Sequence, residues 1–271
     1  MHSKKKSLSA RQSRITLGLT TILLIVATLF GFATPANALD RVRNSTPVVA
    51  GTVVQTPLGY CTVGAVLKKN TAGANASSVT AGVRYLVLAQ HCAPQIGATI
   101  RLEGRQIGSV TWISSTDDVE LVQVPPEVTS PRGCYGQHGC FQGNQVAPLA
   151  VGRVVLSTRG GERAVPMRPA AVPGADERFC TSGGFSGVNC NWMLDTDRPG
   201  NWGDDRGTIA VTTGGRGAQN GDSGGPVIGE QGQLYGIIQR AGDGAYTSLM
   251  QYLPIDELLS QLDYGYDIAP L

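Results

Sequence analysis

The chain has 271 residues, of which 41% are hydrophobic and 15% are charged, and its formal net charge is +2. This balance excludes a disordered or collagen-like chain, and the length allows one large domain or two small ones. The 36 glycines indicate many tight turns and therefore short strands.

The first 38 residues have the three parts of a secretory signal peptide. Five basic and no acidic side chains lie there, residues 15–32 are uncharged and apolar, and Ala36-Asn37-Ala38 supplies the small residues of a cleavage site. We predict cleavage after Ala38; the alternative is an uncleaved anchor, because the apolar run approaches the length that spans a bilayer. Cleavage changes the formal charge from +2 to −3, which leaves no basic patch for nucleic acid.

Short runs rich in Val, Ile, Leu and Thr recur between glycines in the exported part. The predicted strands are 60–67, 85–89, 106–113, 119–124, 153–156, 208–213, 226–228 and 234–239. Many short strands with Gly-containing turns are typical of a sandwich or barrel, and no Pro/Ser-rich linker divides them. The Gly- and Asp-rich stretch 174–207 is predicted to form long surface loops.

The last predicted element is an amphipathic helix. Its apolar face consists of residues spaced by three and four positions: Ile255, Leu258, Leu259 and Leu262. Pro254 precedes them, at a helix start that tolerates proline. The expected fold class is therefore all-β with a C-terminal helix.

All six cysteines lie in the exported part of the chain. An even number in an oxidising compartment predicts three disulfides. The loop between Cys134 and Cys140 contains His138 and offers a metal site as an alternative, but a small disulfide loop is the preferred interpretation. The acidic residues Asp195, Asp197, Asp204 and Asp205 are interspersed with Arg198 and Arg206, which favours a solvated loop over a calcium site. We predict no metal and no cofactor.

Residues 221–227 read Gly-Asp-Ser-Gly-Gly-Pro-Val, with glycines on both sides of a serine. Such a turn presents the hydroxyl of Ser223 and directs backbone N–H groups toward one point, as acyl transfer requires for the oxyanion that develops. The alternative is an ordinary Gly-rich turn.

A serine nucleophile needs a base and a carboxylate that orients the base. His91 follows an apolar run and precedes a cysteine, which favours it over His138 in its small loop. Asp118 directly precedes a predicted strand and is preferred to Asp117, which is expected to be solvated.

Together, the segments Leu-Ala-Gln-His-Cys at 88–92, Asp-Val-Glu-Leu-Val-Gln-Val at 118–124 and residues 221–227 resemble the three active-site motifs of the chymotrypsin family, in that family's chain order. The short spacings are similar to those of secreted bacterial members such as streptogrisins. The resemblance implies two six-stranded antiparallel β barrels in residues 48–271. It also implies a secreted serine endopeptidase; the alternatives are a non-catalytic binding protein on the same fold, or an esterase.

The resemblance also implies roles for individual residues. Ser223 is the nucleophile, His91 the base and Asp118 the orienting carboxylate, with the N–H groups of Gly221 and Ser223 as the oxyanion hole. A Cys61–Cys92 disulfide is implied beside His91. Of the remaining pairings we favour the local ones, Cys134–Cys140 and Cys180–Cys190.

The family's primary specificity pocket maps to Gly217 at its floor and to Ala241 and Gly244 at its walls, with Gln239 at the start of the substrate-binding strand. An uncharged pocket predicts a preference for apolar residues over Lys and Arg, although Asp243 adjoins it and Arg216 and Arg240 lie nearby. Gln239, Arg240 and Glu120 depart from the residues usual in the family.

Activation in the family depends on the aspartate before the serine, here Asp222. It pairs either with a new N-terminus, to be sought near Val48, or with an arginine, to be sought at Arg216. The short segment 39–47 is a candidate for removal, and Arg43 is the nearest basic cleavage point to Val48. We expect a secreted monomer that acts on peptides, without nucleic acid and without a membrane anchor once the signal is removed.

Overall fold

The computed structural model describes residues 41–271 except 131, 135–139 and 203–206; for 132–134 and 140–142 it describes the backbone alone. The described residues belong to one compact unit. None of the helices within these ranges is both long and apolar enough to cross a bilayer. The predicted signal peptide lies outside the described residues.

Strands dominate the described part of the chain. They are β1 Val48–Ala50, β2 Val53–Thr56, β3 Gly59–Thr62, β4 Ala65–Lys69, β5 Arg84–Leu88, β6 Thr99–Leu102, β7 Arg105–Ile113, β8 Glu120–Val124, β9 Glu127–Thr129, β10 Arg132–Cys134, β11 Cys140–Gln142, β12 Gln145–Ala147, β13 Ala150–Thr158, β14 Gly161–Pro166, β15 Arg168–Ala170, β16 Phe179–Gly183, β17 Gly187–Asp195, β18 Thr208–Thr212, β19 Pro226–Ile228, β20 Gln233–Ala241, β21 Leu249–Pro254 and β22 Tyr266–Ile268. The α-helices are α1 Ser78–Gly82 and α2 Ile255–Gln261, and the 3₁₀ helices are Ala72–Asn75, Gln90–Cys92, Gly200–Trp202 and Gly244–Tyr246.

Two large sheets carry the architecture. The first has the order β22-β4-β5-β8-β7-β6-β2-β3, and the second has the order β15-β20-β19-β16-β17-β18-β21. Because β20 also pairs with β21, six strands of the second sheet close into a barrel. The all-β double-barrel prediction is confirmed, with one difference: the first sheet forms a half-barrel.

Each sheet curves around its own apolar cluster, and a third cluster joins them. Val66, Leu86 and Val122 belong to the interior of the first sheet, and Phe179 and Trp192 belong to the interior of the second. The third cluster combines side chains of β4, β5 and β8 with others from β19, β20, β21 and α2. Strands that bury both faces explain why the sequence shows apolar runs rather than strict alternation.

Seven of the eight predicted strands each coincide with one strand of the structure, whereas the predicted strand 60–67 is divided into β3 and β4 by a break at residues 63–64. Helix α2 confirms the predicted helix. Ile255 and Leu258 are buried in the cluster between the sheets, with Leu259 and Leu262 packed at its edge. The prediction of surface loops for 174–207 is wrong over residues 179–195, because β16 and β17 form a hairpin that is part of the second barrel. The residues of β16 are buried although several are small or polar, so composition concealed the strand.

Candidate active site

The first two residues of the site lie where neighbouring strands end. β5 and β8 are antiparallel, with Leu88 opposite Glu120. His91 follows Leu88 by one short 3₁₀ turn, and Asp118 precedes Glu120 by two positions. The strand register therefore brings His91 and Asp118 to the same edge of the sheet.

The carboxylate of Asp118 contacts both the backbone and the ring of His91. Its Oδ2 lies 2.6 Å from His91 Nδ1, and its Oδ1 accepts a hydrogen bond of 2.8 Å from the His91 backbone N–H. Two contacts to one residue fix both the position and the rotation of the ring. With Nδ1 facing a carboxylate, the tautomer that carries the proton on Nδ1 is favoured, which leaves Nε2 as an acceptor.

Of the two neighbouring aspartates, Asp117 is more buried than Asp118, which is the opposite of our expectation. The Asp118 side chain is 32% exposed, whereas Asp117 is 8% exposed. Asp117 is held inside because its Oδ2 accepts hydrogen bonds from Gln261 Nε2 at 2.7 Å and Thr116 Oγ1 at 2.8 Å. The expectation of a solvated Asp117 is wrong; this residue ties the loop before β8 to helix α2.

Two of the predicted disulfides are present. Cys61 of β3 is bonded to Cys92, next to His91, and Cys180 is bonded to Cys190 across the β16–β17 hairpin. The first bond fixes the turn that carries His91 to a neighbouring strand, and it also excludes both sulfurs as metal ligands beside the ring. The predicted Cys134–Cys140 bond and His138 lie outside the residues whose side chains the structure describes; Asp204 and Asp205 also lie outside the described residues.

The loop that carries Ser223 is fastened through its backbone to both sheets, at Thr62 of β3 in the first and at Ile238 of β20 in the second. The Ser223 carbonyl accepts a hydrogen bond of 2.9 Å from Thr62 N–H, and Gly224 N–H donates to the carbonyl of Ile238 at 2.7 Å. Gly221 and Gly224 have φ values of +92° and +82°, which L side chains rarely adopt. The glycines on both sides of Ser223 are thus required by the turn itself.

Gly64, between β3 and β4, allows this loop to approach. A Cβ at Gly64 would lie 2.2 Å from the carbonyl oxygen of Gly224 and 2.4 Å from Cγ2 of Ile237. β3 ends at Thr62 and β4 begins at Ala65, and these two strands do not pair with each other in the first sheet. The serine loop therefore contacts the first sheet at the gap between β3 and β4.

We expect Gly64→Ala to displace the serine loop and to lower the free energy of unfolding by about 1–3 kcal/mol through overpacking. Denaturant unfolding measures this loss. Gly73→Ala is the matched control, because a Cβ there has no atom within 4 Å. Equal stability of the two variants would contradict the expectation.

His91 and Ser223 line the same open groove, whose volume is about 430 Å³. The Cys61–Cys92 disulfide forms part of its wall, and Gly221 lies beside Ser223. Leu58, Tyr60 and Phe185 add exposed apolar surface, and the rings of Tyr60 and Phe185 meet edge to face. The groove therefore offers a polar centre with an apolar flank.

The carboxylate of Asp222 is fully buried and accepts hydrogen bonds from three backbone N–H groups. Phe185 and Ser186 donate to Oδ1 at 2.8 and 3.1 Å, and Gln219 donates to Oδ2 at 2.8 Å. These amides stand where we expected a new N-terminus or Arg216. The N–H of Val48 donates to the carbonyl of Leu149 at 2.8 Å, where β1 pairs with β13, and not to Asp222.

Solved structures of bacterial proteases match most of the chain. The Nocardiopsis protease NAPase matches 82% of this chain and 98% of its own, at 16% identity and a TM-score of 0.53. A chymotrypsin from Cellulomonas bogoriensis covers 83% and 99%, at 17% identity and a TM-score of 0.55. A glutamic acid specific serine protease covers 82% and 100%, at 21% identity and a TM-score of 0.56.

This chain has the chymotrypsin-like fold. The likeness confirms the fold implied by the sequence motifs. No family model and no curated protein matches the chain. At such low identities the comparison establishes the fold alone.

The predicted specificity residues of this chymotrypsin-like fold lie around residues 241–248. A Cβ at Gly217 would lie 2.1 Å from the carbonyl oxygen of Thr247, so the backbones touch there. Ala241 is half-buried at the end of β20, whereas Gly244 is exposed. Arg240 lies over the ring of Trp202, 5.7 Å from its centroid, and donates to the Trp202 carbonyl.

Gln239 lies behind Asp118 rather than on an open surface. It is 9% exposed and lines a cavity of about 110 Å³ together with Asp118 and Gln251. The side-chain oxygens of both glutamines are buried without a hydrogen-bond partner among the described residues. The departure at Gln239 therefore changes the surroundings of the Asp118 carboxylate, a consequence that the motif alone did not reveal.

Proposed function

We propose that this chain is a secreted serine endopeptidase that hydrolyses peptide bonds through an acyl-enzyme intermediate. The observation that carries the proposal is the contact of 2.6 Å between His91 Nδ1 and Asp118 Oδ2, at a groove that His91 shares with Ser223. All three residue types of the triad stand on a chymotrypsin-like fold, in the family's order.

The mechanism follows from the roles of these atoms. Ser223 Oγ attacks the peptide carbonyl while His91 Nε2 takes its proton and later transfers that proton to the leaving amine. Asp118 keeps the proton on Nδ1 and stabilises the ring when it becomes charged. The N–H groups of Gly221 and Ser223 are proposed to hold the oxyanion. Water then attacks the acyl-enzyme by the same proton path, which releases the new carboxylate and regenerates Ser223.

The proposed location is extracellular, after removal of the signal peptide. The Cys61–Cys92 and Cys180–Cys190 disulfides support an oxidising compartment. We propose that the released protein acts as a monomer on peptide substrates, with no cofactor.

Labelling with a fluorophosphonate tests the mechanism, because the probe reacts with an activated serine. We expect the label on Ser223 in the peptide map, together with hydrolysis of peptide substrates. A folded protein without label would be a binding protein, and turnover of esters without any peptide hydrolysis would identify an esterase.

We expect cleavage after apolar residues rather than after Lys or Arg. The residues that correspond to the family's pocket, Gly217, Ala241 and Gly244, carry no charge. An uncharged pocket does not compensate for the desolvation of a cation, whereas burial of an apolar side chain contributes about 1.5–3 kcal/mol. Cleavage of a peptide library, read by mass spectrometry, measures the preference. The variant Asp243→Asn is the control: predominant cleavage after Lys or Arg that disappears in this variant would contradict the prediction.

A further inference from the structure

The segment before β1 places one buried cation in the fold. The side chain of Arg43 is 6% exposed, and it forms an ion pair of 2.7 Å with Glu162, which is 10% exposed. Arg43 also donates from Nη1 to the Gly51 carbonyl at 2.9 Å and from Nη2 to Ser182 Oγ at 3.2 Å. A buried guanidinium with its donors directed to three partners fixes the positions of those partners relative to one another.

Two of these contacts lead to the β16–β17 hairpin, one on each arm. Ser182 of β16 stands opposite Val188 of β17. Arg43 donates to Ser182, while Oε1 of Glu162 accepts a hydrogen bond of 3.0 Å from the Val188 N–H. The Arg43–Glu162 ion pair is therefore hydrogen-bonded to both strands of the hairpin, at Ser182 and Val188, the residues that flank the turn 183–187.

The turn 183–187 contacts the two residues that directly precede Ser223, which are Asp222 and, through Thr62, Gly221. Phe185 and Ser186 donate to the buried Asp222 carboxylate. Gly184 N–H donates to Thr62 Oγ1 at 3.0 Å, and that hydroxyl donates to the Gly221 carbonyl at 2.7 Å. A Cβ at Gly183 would lie 2.4 Å from the Asp222 carboxyl carbon, so the turn and Asp222 are packed without free space.

We propose that Arg43 and Glu162 are positioning residues for the loop that carries Ser223, and that the segment before β1 is therefore a retained part of the catalytic apparatus. The proposal rests on the proposed peptidase function. In this proposal, Arg43 connects the N-terminal segment to the turn 183–187, and the turn in its turn positions Gly221 and Asp222. Cleavage at Arg43 would break this link, so we infer that the mature enzyme keeps it intact.

The test compares the full-length double variant Arg43→Met/Glu162→Gln with the wild type. The double change leaves no unpaired buried charge, and the glutamine keeps an oxygen that accepts the Val188 N–H. Arg41→Met is the matched control, because Arg41 is exposed in the same segment. Assays are run well below each variant's Tm, with near-ultraviolet circular dichroism to establish that the protein is folded.

We expect kcat and the rate of fluorophosphonate labelling to fall together by about 10–100-fold, with KM changed by less than about threefold, because misplacement of reacting groups costs this much. Arg43→Lys should recover part of the loss, and Arg41→Met should behave as the wild type. Ser182→Ala, which removes only one contact, serves as the milder variant if the double variant does not fold.

An unchanged kcat in a folded variant overturns the proposal, even if its Tm is lower, because Arg43 would then serve stability alone. An equal loss in Arg41→Met also overturns it. Failure of the proposed function gives a different result: the wild type itself would neither take the label nor hydrolyse peptides.

Discussion

Replacement of Ser223 by alanine should reduce kcat by about 10⁴–10⁶-fold and leave the fold unchanged. The alanine removes the only atom that forms the acyl-enzyme, while the loop remains fastened through backbone contacts of Ser223 and Gly224 to Thr62 and Ile238. The rate is measured with a peptide substrate, and Tm is compared with that of the wild type. The oxyanion hole and substrate binding should leave a residual rate about 10³–10⁴ above that in water.

His91→Ala should cause a loss of the same order, because an unassisted hydroxyl is a poor nucleophile at neutral pH. The double variant should be hardly slower than either single variant, since the residues act as a unit. Ser260→Ala is a control outside the triad, because Ser260 is exposed and its hydroxyl donates to the Glu257 carbonyl within α2. Near-normal turnover by a folded Ser223→Ala protein would refute the mechanism.

The sequence predicted those parts of the fold that depend on local patterns. The apolar runs of β5 and β8 and the spacing of Ile255 and Leu258 in α2 follow from burial of a continuous face, and the structure confirms these elements. The hairpin β16–β17 was missed because its buried positions include Thr181, Ser182 and Gly183, whose burial depends on partners elsewhere in the chain.

In the candidate site, too, local patterns predict some features, whereas others depend on residues that are distant in the sequence. The positions of His91 and Asp118 could be predicted from the ends of the strands beside them. The burial of the neighbouring Asp117 could not, because it depends on a hydrogen bond from Gln261, 144 positions away. Arg43 carried no local signal at all, because Glu162 is 119 positions away and Ser182 is 139 positions away. Contacts of this kind depend on the packing of complete sheets, which no local pattern records.

Glu120 is a departure from the family pattern that has a large physical consequence. Glu120 lies on the same face of β8 as Val122 and Val124, since the three are two positions apart along the strand. Both valines belong to the apolar interior of the first sheet. Glu120 is fully buried, and neither carboxyl oxygen has a hydrogen-bond partner among the described residues. Burial, with a smaller contribution from the charge of Asp118, raises the pKa of Glu120 to about 9.

This pKa determines how stability changes with pH. Below pH 4.5, the ordinary pKa of the side chain, Glu120 is protonated in the folded and the unfolded chain, and its stabilising contribution is complete. As the pH rises from there to about 9, the unfolded chain releases the proton and the folded chain keeps it. The unfolded chain then binds fewer protons, so the free energy of unfolding falls by about 1 kcal/mol per pH unit. Above the folded pKa both states are ionised, and the loss is complete.

We therefore expect Glu120→Gln to become progressively more stable than the wild type as the pH rises, with a difference that grows to the order of 5 kcal/mol by pH 9. Glutamine has the same shape but carries no titrating proton. Denaturant unfolding from pH 4 to 9, in a Ser223→Ala background that prevents self-digestion, measures the difference. Glu127→Gln is the matched control, because the Glu127 side chain is 46% exposed and should give a curve parallel to that of the wild type. A curve for Glu120→Gln that also runs parallel would show that Glu120 is already ionised in the folded protein.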